Sequence, residues 1–227
     1  MSFLAYQDPG NPWFSWQYVR DNGDTILAAL REHVVLTAES VAIAAAVAIP
    51  LAVLAYWFSA LTGPILAFSG VLYTIPSLAL FAFIAPYLGI GERTVLVPLV
   101  LYALLMIIRN SLAGLTQVPA EVRDAAQGMG YGRFARLARI DLPLAVPGIL
   151  TGLRLATVST VALVTVGVVV GHGGLGQLIL LGFQSNYYKA EIMTGTVLCV
   201  GLALVLDLML LGTGRLLTPW TRRRAAR

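Results

Sequence analysis

The residues of this chain with the most chemistry in them are few and widely spaced. Gly171, His172, Gly173, Gly174 and Gly176 fall in "GHGGLGQLI", where glycines could cradle a phosphate and a histidine could hold a metal or relay a proton. A phosphate loop, however, follows a strand and closes on Gly-Lys-Ser/Thr. No strand pattern precedes these glycines, and the only lysine, Lys189, sits in "YYKAE". The chain is therefore not expected to bind ATP or Mg itself. No second histidine, cysteine or carboxylate stands near His172 in the sequence, so a structural or solvent-facing histidine is favoured over a metal ligand or proton relay. Cys199 is the only cysteine, which excludes an intrachain disulfide and a cysteine zinc site. No nucleophile, base and metal ligand converge, so no catalytic residue, no metal and no cofactor on this chain are expected.

What has to hold these residues is set by composition. Of 227 residues, 58% are hydrophobic and 11% charged, and the mean hydropathy of +0.82 excludes an ordinary soluble domain. A hydrocarbon core of about 30 Å needs about 20 apolar residues. Five runs suffice, near 34–57, 64–86, 93–112, 146–170 and 190–216. They are too continuous for barrel strands, so the expected fold is an all-α membrane protein of five transmembrane helices. Eleven of the fifteen basic residues lie at 109–139, at 154 and from 215 onward, and Arg20, Arg31, Arg93 and Lys189 fall on the other side. The positive-inside rule then puts the amino terminus outside and the carboxyl terminus in the cytoplasm. The same rule explains the pI near 9.5 without nucleic acid as a partner. The expected organisation is an extracytoplasmic segment with an amphipathic helix (1–33), a transmembrane domain (34–216) with a cytoplasmic loop at about 113–145, and a basic tail (217–227). The start "MSFLAYQDPGNPW" lacks a basic region before an apolar core, so it reads as mature protein and not as a cleaved signal.

Within this frame several positions stand out. Trp13, Trp16 and Tyr18 suit an outer headgroup layer better than a ligand cage, and Ile26, Leu27, Leu30 and Val34 form a stripe for a surface-lying helix. Pro76, in "YTIPSLALF", should kink the second span and free a carbonyl. With Thr74 and Ser77 that carbonyl either lines a pathway or is satisfied locally. Leu175 to Phe183 is too short to span, and Gly173, Gly174 and Gly176 would let this re-entrant or outer segment pack closely at a pathway mouth or gate. Arg154 and Asp207 each lie about 12 to 15 Å inside the fourth and fifth spans. A lone charge at such depth costs at least about 2.5 kcal/mol, so a structural ion pair between them is expected, with a snorkelling arginine as the alternative.

The longest charged stretch is "VPAEVRDAAQGMGYGRFARLARIDLPLAVPG", Val118 to Gly148. Pro119 suits a helix start, and Glu121 with Asp124 complement its positive end. Val122, Ala125, Ala126 and Met129 then make one shallow apolar face. Gly128 and Gly130 should break the helix. A second short helix should turn Phe134 and Leu137 one way and Arg133, Arg136 and Arg139 another, with Pro143 closing it. A small-residue face on a polar loop fits docking into another protein, and a loop held to anionic lipid is the alternative.

The run "DAAQGMGYGRFARLARIDLP" resembles the EAA motif of the membrane subunits of bacterial ABC importers: Glu-Ala-Ala, three residues, Gly, nine residues, Ile, any residue, Leu-Pro. Asp124, Ala125, Ala126, Gly130, Ile140, Leu142 and Pro143 match it, with Asp in place of Glu. "NGDTILAALREHVVLT", "YTIPSLALFAFIAPYLGIG" and "GHGGLGQLI" resemble the osmoprotectant permeases, whose substrates are glycine betaine, choline and carnitine. The resemblance implies the type I permease fold and a multi-pass protein of the bacterial cytoplasmic membrane. It implies a coupling helix involving Glu121, Asp124, Ala125, Ala126, Gly130, Tyr131 and Arg133, docked on a separate ATP-binding subunit that holds ATP and Mg. A second permease subunit, identical or homologous, and an extracytoplasmic substrate-binding protein are the other implied partners. A permease for another small solute such as an amino acid is the alternative, then a secondary transporter, which would show inverted repeats and paired intramembrane carboxylates.

Overall fold

The computed structural model describes residues 10–219. The first nine residues and residues 220–227, most of the basic tail, lie outside the described residues. All regular structure among the described residues is helical. A short α1 (Trp16–Asp21) begins where the Ser15 hydroxyl accepts the Tyr18 amide at 3.2 Å. Then α2 (Gly23–Trp57) runs for 35 residues without interruption, about 52 Å at 1.5 Å per residue. The stripe of Ile26, Leu27, Leu30 and Val34 is thus the beginning of the first span and not a separate surface helix. Its residues also divide: Ile26 is buried, Leu30 half-buried and Leu27 exposed. Of the three aromatics ahead of it, Trp13 and Trp16 are exposed, but Tyr18 is buried edge-on against the Tyr188 ring and is no headgroup anchor.

The second apolar run is broken, as its proline requires. Helix α3 (Ser59–Thr74) stops at Ile75 (φ −65°, ψ 128°) and Pro76 (φ −57°, ψ 132°), and α4 (Ser77–Leu88) restarts beyond them. Both residues are extended, since the proline ring disfavours helical backbone in the residue before it. Helix α5 (Glu92–Thr116) is the third span. After the short α6 (Ala120–Gly128), a continuous helical stretch runs from Arg133 to Val170: α7 (Arg133–Arg136), a π-helical turn (Leu137–Asp141), α8 (Leu142–Val164) and a 3-10 end (Thr165–Val170). Pro143 therefore does not close the helix. Proline in the first turn of α8 cannot donate to the carbonyl four residues back, and the wide turn just upstream, with the Leu142 amide donating five residues back to Leu137, makes room for it. Helices α9 (Leu175–Gln184) and α10 (Lys189–Leu217) complete the chain. Four helical stretches among the described residues are long and apolar enough to cross a membrane, and five if α3 and α4, bent by 93° at their break, count together as one span.

The chain clusters into two compact units. One is built from Met1–Glu39, Pro76–Leu99 and Thr160–Leu204. Its core holds Leu36, Phe81, Val95, Leu99 and Val164 in one cluster and Tyr18, Ile26, Leu175 and Leu178 in another, with Cys199 packed on the latter. The other is built from Ser40–Ile75, Val100–Ser159 and Val205–Arg227, and its core is finer grained. Ala44, Ala48, Ala103 and Ala156 surround Ile107 and Ile108. Helices α5 and α8 approach each other closely there. A Cβ on Gly148 would lie 2.7 Å from the Gly114 Cα, and one on Gly152 would lie 3.1 Å from the Ile107 Cα. Small residues four apart allow this backbone contact, the usual device for joining helices where apolar burial gives no drive.

Candidate functional site

Helix α6 follows Pro119 and carries Glu121 in its first turn. It ends in a Schellman turn. The Gly130 amide donates to Gln127 and the Tyr131 amide to Ala126, at 3.0 and 3.1 Å, with Gly130 at φ +82°. That left-handed residue is why the motif holds glycine here, whereas Gly128 is simply the last helical residue. The apolar face divides on inspection. Val122, Ala125 and Met129 are open, but Ala126 has no exposed surface. Ala126 thus packs inside its own chain, and of the paired alanines only Ala125 is available to a partner. Asp124 and Arg133 are exposed as well, and Tyr131 is half-buried.

The segment after α6 is fixed to the carboxyl end of α2. The Arg133 guanidinium donates to the Trp57 carbonyl at 3.0 Å and lies 4.5 Å from the centre of the Trp57 ring. Phe134 meets the same indole edge to face at 5.0 Å. Phe134 is otherwise exposed and Leu137 is buried, so the two do not share one environment. Beneath them Asp141 is fully buried, and its Oδ2 accepts from Arg136 Nε at 3.3 Å and from the Tyr56 hydroxyl at 3.4 Å. Contact with the Tyr56 hydroxyl, and beyond it the Asp141 and Asp124 carboxylates, holds the Arg123 guanidinium above its ordinary range. Nothing in the sequence marks Asp141 as more than one charge among many. It is the π turn that carries it inward.

The other residues singled out in the sequence lie elsewhere in the fold. The Ile75 carbonyl at the proline break accepts the Tyr102 hydroxyl. Thr74, exposed, donates to Val71 at 2.7 Å, so its hydroxyl proton is satisfied within its own helix. Pro76 is exposed and Ser77 half-buried. Gly173, Gly174 and Gly176 are buried. A Cβ on them would lie 2.6 Å from the Val168 amide nitrogen, 2.7 Å from the His33 Cβ and 2.5 Å from the Thr165 carbonyl oxygen respectively. Their space is closed by backbone, and Gly174 also sits at φ +50°. The partner of Gly174, His33, is a residue that sequence reasoning missed. Wholly buried, it joins its ring Nε2 to the Val161 carbonyl at 3.0 Å and accepts the Leu175 amide on Nδ1 at 3.3 Å, while Glu32 accepts the Gly174 amide. The imidazole is therefore neutral with its proton on Nε2.

His172 lines a cavity of about 380 Å³ with Arg31, Glu32 and Glu92, and its Nδ1 has no partner among the described residues. No group of three metal-ligating side chains is found among the described residues. Arg154 and Asp207 form a bidentate pair, Nε to Oδ1 at 2.8 Å and Nη2 to Oδ2 at 2.7 Å. The parallel two-bond geometry is the strongest an arginine and a carboxylate can make.

Residues 26–223 match the family described as "Binding-protein-dependent transport system inner membrane component". The chain belongs to that family. This permease is 33% identical over 207 residues to the glycine betaine/carnitine/choline transport system permease protein OpuCD of Bacillus subtilis, covering 91% of this chain and 90% of the relative. It is 34% identical to the osmoprotectant import permease protein OsmW of Salmonella typhimurium, covering 89% and 96%. Among solved structures, a chain of the inward-facing MetNI methionine ABC transporter superposes with a TM-score of 0.76 at 24% identity, over 83% of this permease and 94% of that chain. The fold is that of a type I ABC permease, and the protein is an inner membrane component built of apolar helices.

Proposed function

We propose that this permease forms the translocation pathway of an ATP-driven importer for osmoprotectants such as glycine betaine, choline or carnitine. The observation that carries the substrate class is likeness over nearly the whole chain to relatives named for those substrates, at 31 to 34% identity. The chain is the non-catalytic subunit. ATP and Mg are bound by a separate ATP-binding subunit that seats on α6, where Val122, Ala125 and Met129 offer a shallow apolar face flanked by Asp124 and Glu121. A second permease subunit encloses the path, and an extracytoplasmic binding protein delivers the solute. The amino terminus lies outside and α6 with the carboxyl tail in the cytoplasm, following the distribution of basic residues. Closure of the ATPases would draw the docking helices together and shift the spans between two arrangements.

The test is purification of the tagged chain from its own cells in mild detergent, with intact mass of the complex and uptake of labelled glycine betaine by reconstituted vesicles. An ATP-binding subunit in the complex and ATP-dependent uptake are expected. A chain that purifies without an ATPase, or vesicles that take up none of the three amines, would overturn the reading.

A further inference from the structure

Asp141 is a residue that stability alone disfavours. It is fully buried, one oxygen receives two long hydrogen bonds, and the other, Oδ1, has no partner among the described residues. Leaving a buried carboxylate half satisfied is costly, and an apolar side chain of similar volume would ordinarily serve packing at least as well. The carboxylate does have one ability an apolar group lacks. It can hold two elements to each other directionally, through partners that lie far apart in the chain.

Those partners lie on either side of a break in covalent connection. Movement of α6 passes into α8 along the chain itself, through the Schellman turn, α7 and the π turn that ends on Asp141. It has no such route into α2, because Tyr56 is 85 residues away in sequence. Non-covalent contacts must carry it. Besides the apolar core that Ala44, Ala48 and Val53 share with α8, the polar and aromatic contacts fall on three consecutive residues where α2 ends: Tyr56 on Asp141, Trp57 under Arg133 and Phe134, and, just beyond the helix, Phe58 with its ring centre 5.0 Å from the same guanidinium. Arg123, on α6 itself, completes the cluster through Tyr56.

Resting on the permease reading above, we propose that Asp141 and Tyr56 are positioning residues that form a joint through which movement of the docking helix α6 is delivered to the first span α2. The joint makes α2 a driven element of the transport cycle. The chain's direct route drives only α8. Arg133 and Phe134 grip Trp57 at the rim, and the buried carboxylate sets the angle at the centre.

The test uses the complete transporter, purified with its natural partners and reconstituted in vesicles, with labelled glycine betaine as probe and ATP hydrolysis measured in parallel. Tyr56→Phe removes one oxygen and keeps the ring, so it avoids the folding risk of Asp141→Asn. In Tyr56→Phe the ATPase should remain bound at wild-type stoichiometry and hydrolyse ATP, while amine taken up per ATP falls about tenfold. Asp141→Asn should do the same, the double variant should be no worse than the poorer single, and Asp141→Glu should recover part of the coupling. Unchanged uptake per ATP in Tyr56→Phe, or losses that multiply in the double variant, would overturn the joint. So would loss of the ATPase subunit from the variants, because the contacts would then shape only the docking surface. A wild-type complex without an ATPase would instead remove the permease reading itself, so the two failures are distinguishable.

Discussion

Neighbouring alanines in one motif have opposite fates here. Ala125 is open and Ala126 is buried in its own chain, so their bulky variants should fail differently. Ala125→Trp should insert normally and lose co-purifying ATPase. Ala126→Trp should overpack the chain, at about 1 to 3 kcal/mol, and show as a lower unfolding temperature in detergent. Equal behaviour of the two would contradict the assignment of α6 as the docking face. The Arg154–Asp207 pair was legible in the sequence because intramembrane charges are rare and these two shared a depth. Asp207→Asn should lower thermal stability through the unpaired arginine, and Arg154→Gln with Asp207→Asn should be less harmful than either alone. Single variants as stable as the wild type would show that the pair is incidental. His33 was not legible. A single histidine within an apolar helix announces nothing, and its partners Val161 and Leu175 lie 128 and 142 residues away. The inward turn of Asp141 was hidden for a related reason, since it depends on backbone geometry that side-chain spacing does not encode.

Elements were more legible than residues wherever physics gave them a length. Five apolar runs gave the five spanning stretches, because about 20 residues of helix is what hydrocarbon demands. Prolines were legible in kind but not in outcome. Pro76 does break its span, yet Pro143 does not end its helix, because a π turn absorbs the missing bond. The α5–α8 seam carried a signal that went unused: Gly148 and Gly152 are four apart and face Gly114 and Ile107. Gly148→Val places atoms where the Gly114 backbone already is. Its unfolding temperature in detergent should drop by an amount equivalent to about 1 to 3 kcal/mol. No drop would mean that the helices separate freely and that the seam holds little.

At the scale of the whole molecule, the distribution of basic residues makes a claim that helices alone do not. In a Cys199→Ser background, Ser185→Cys and Gln127→Cys would both stand at exposed positions, which the positive-inside rule puts on opposite sides of the membrane. A membrane-impermeant maleimide should label position 185 on intact cells and position 127 only after the membrane is opened. The reverse pattern would invert the topology and leave α6 facing away from any ATPase. Which amine is preferred was not legible in the sequence. The cavity beside His172 is lined by Arg31, Glu32 and Glu92 with Ala28, Val35 and Leu36, and it offers no aromatic cage to a quaternary ammonium.

The π turn at Leu137–Asp141 holds one residue more than an α-helix would use over the same rise. That surplus can be given up: deleting Ala138 should return the backbone to regular pitch with the fourth span formed and α6 kept in the same helical phase. What goes with the residue is the wide turn itself, and with it the room for Pro143 and the inward placement of Asp141. A deletion variant that inserts fully and keeps its ATPase, yet takes up less amine per ATP, is the expected sign, and uptake equal to the wild type would show that the wide turn is dispensable.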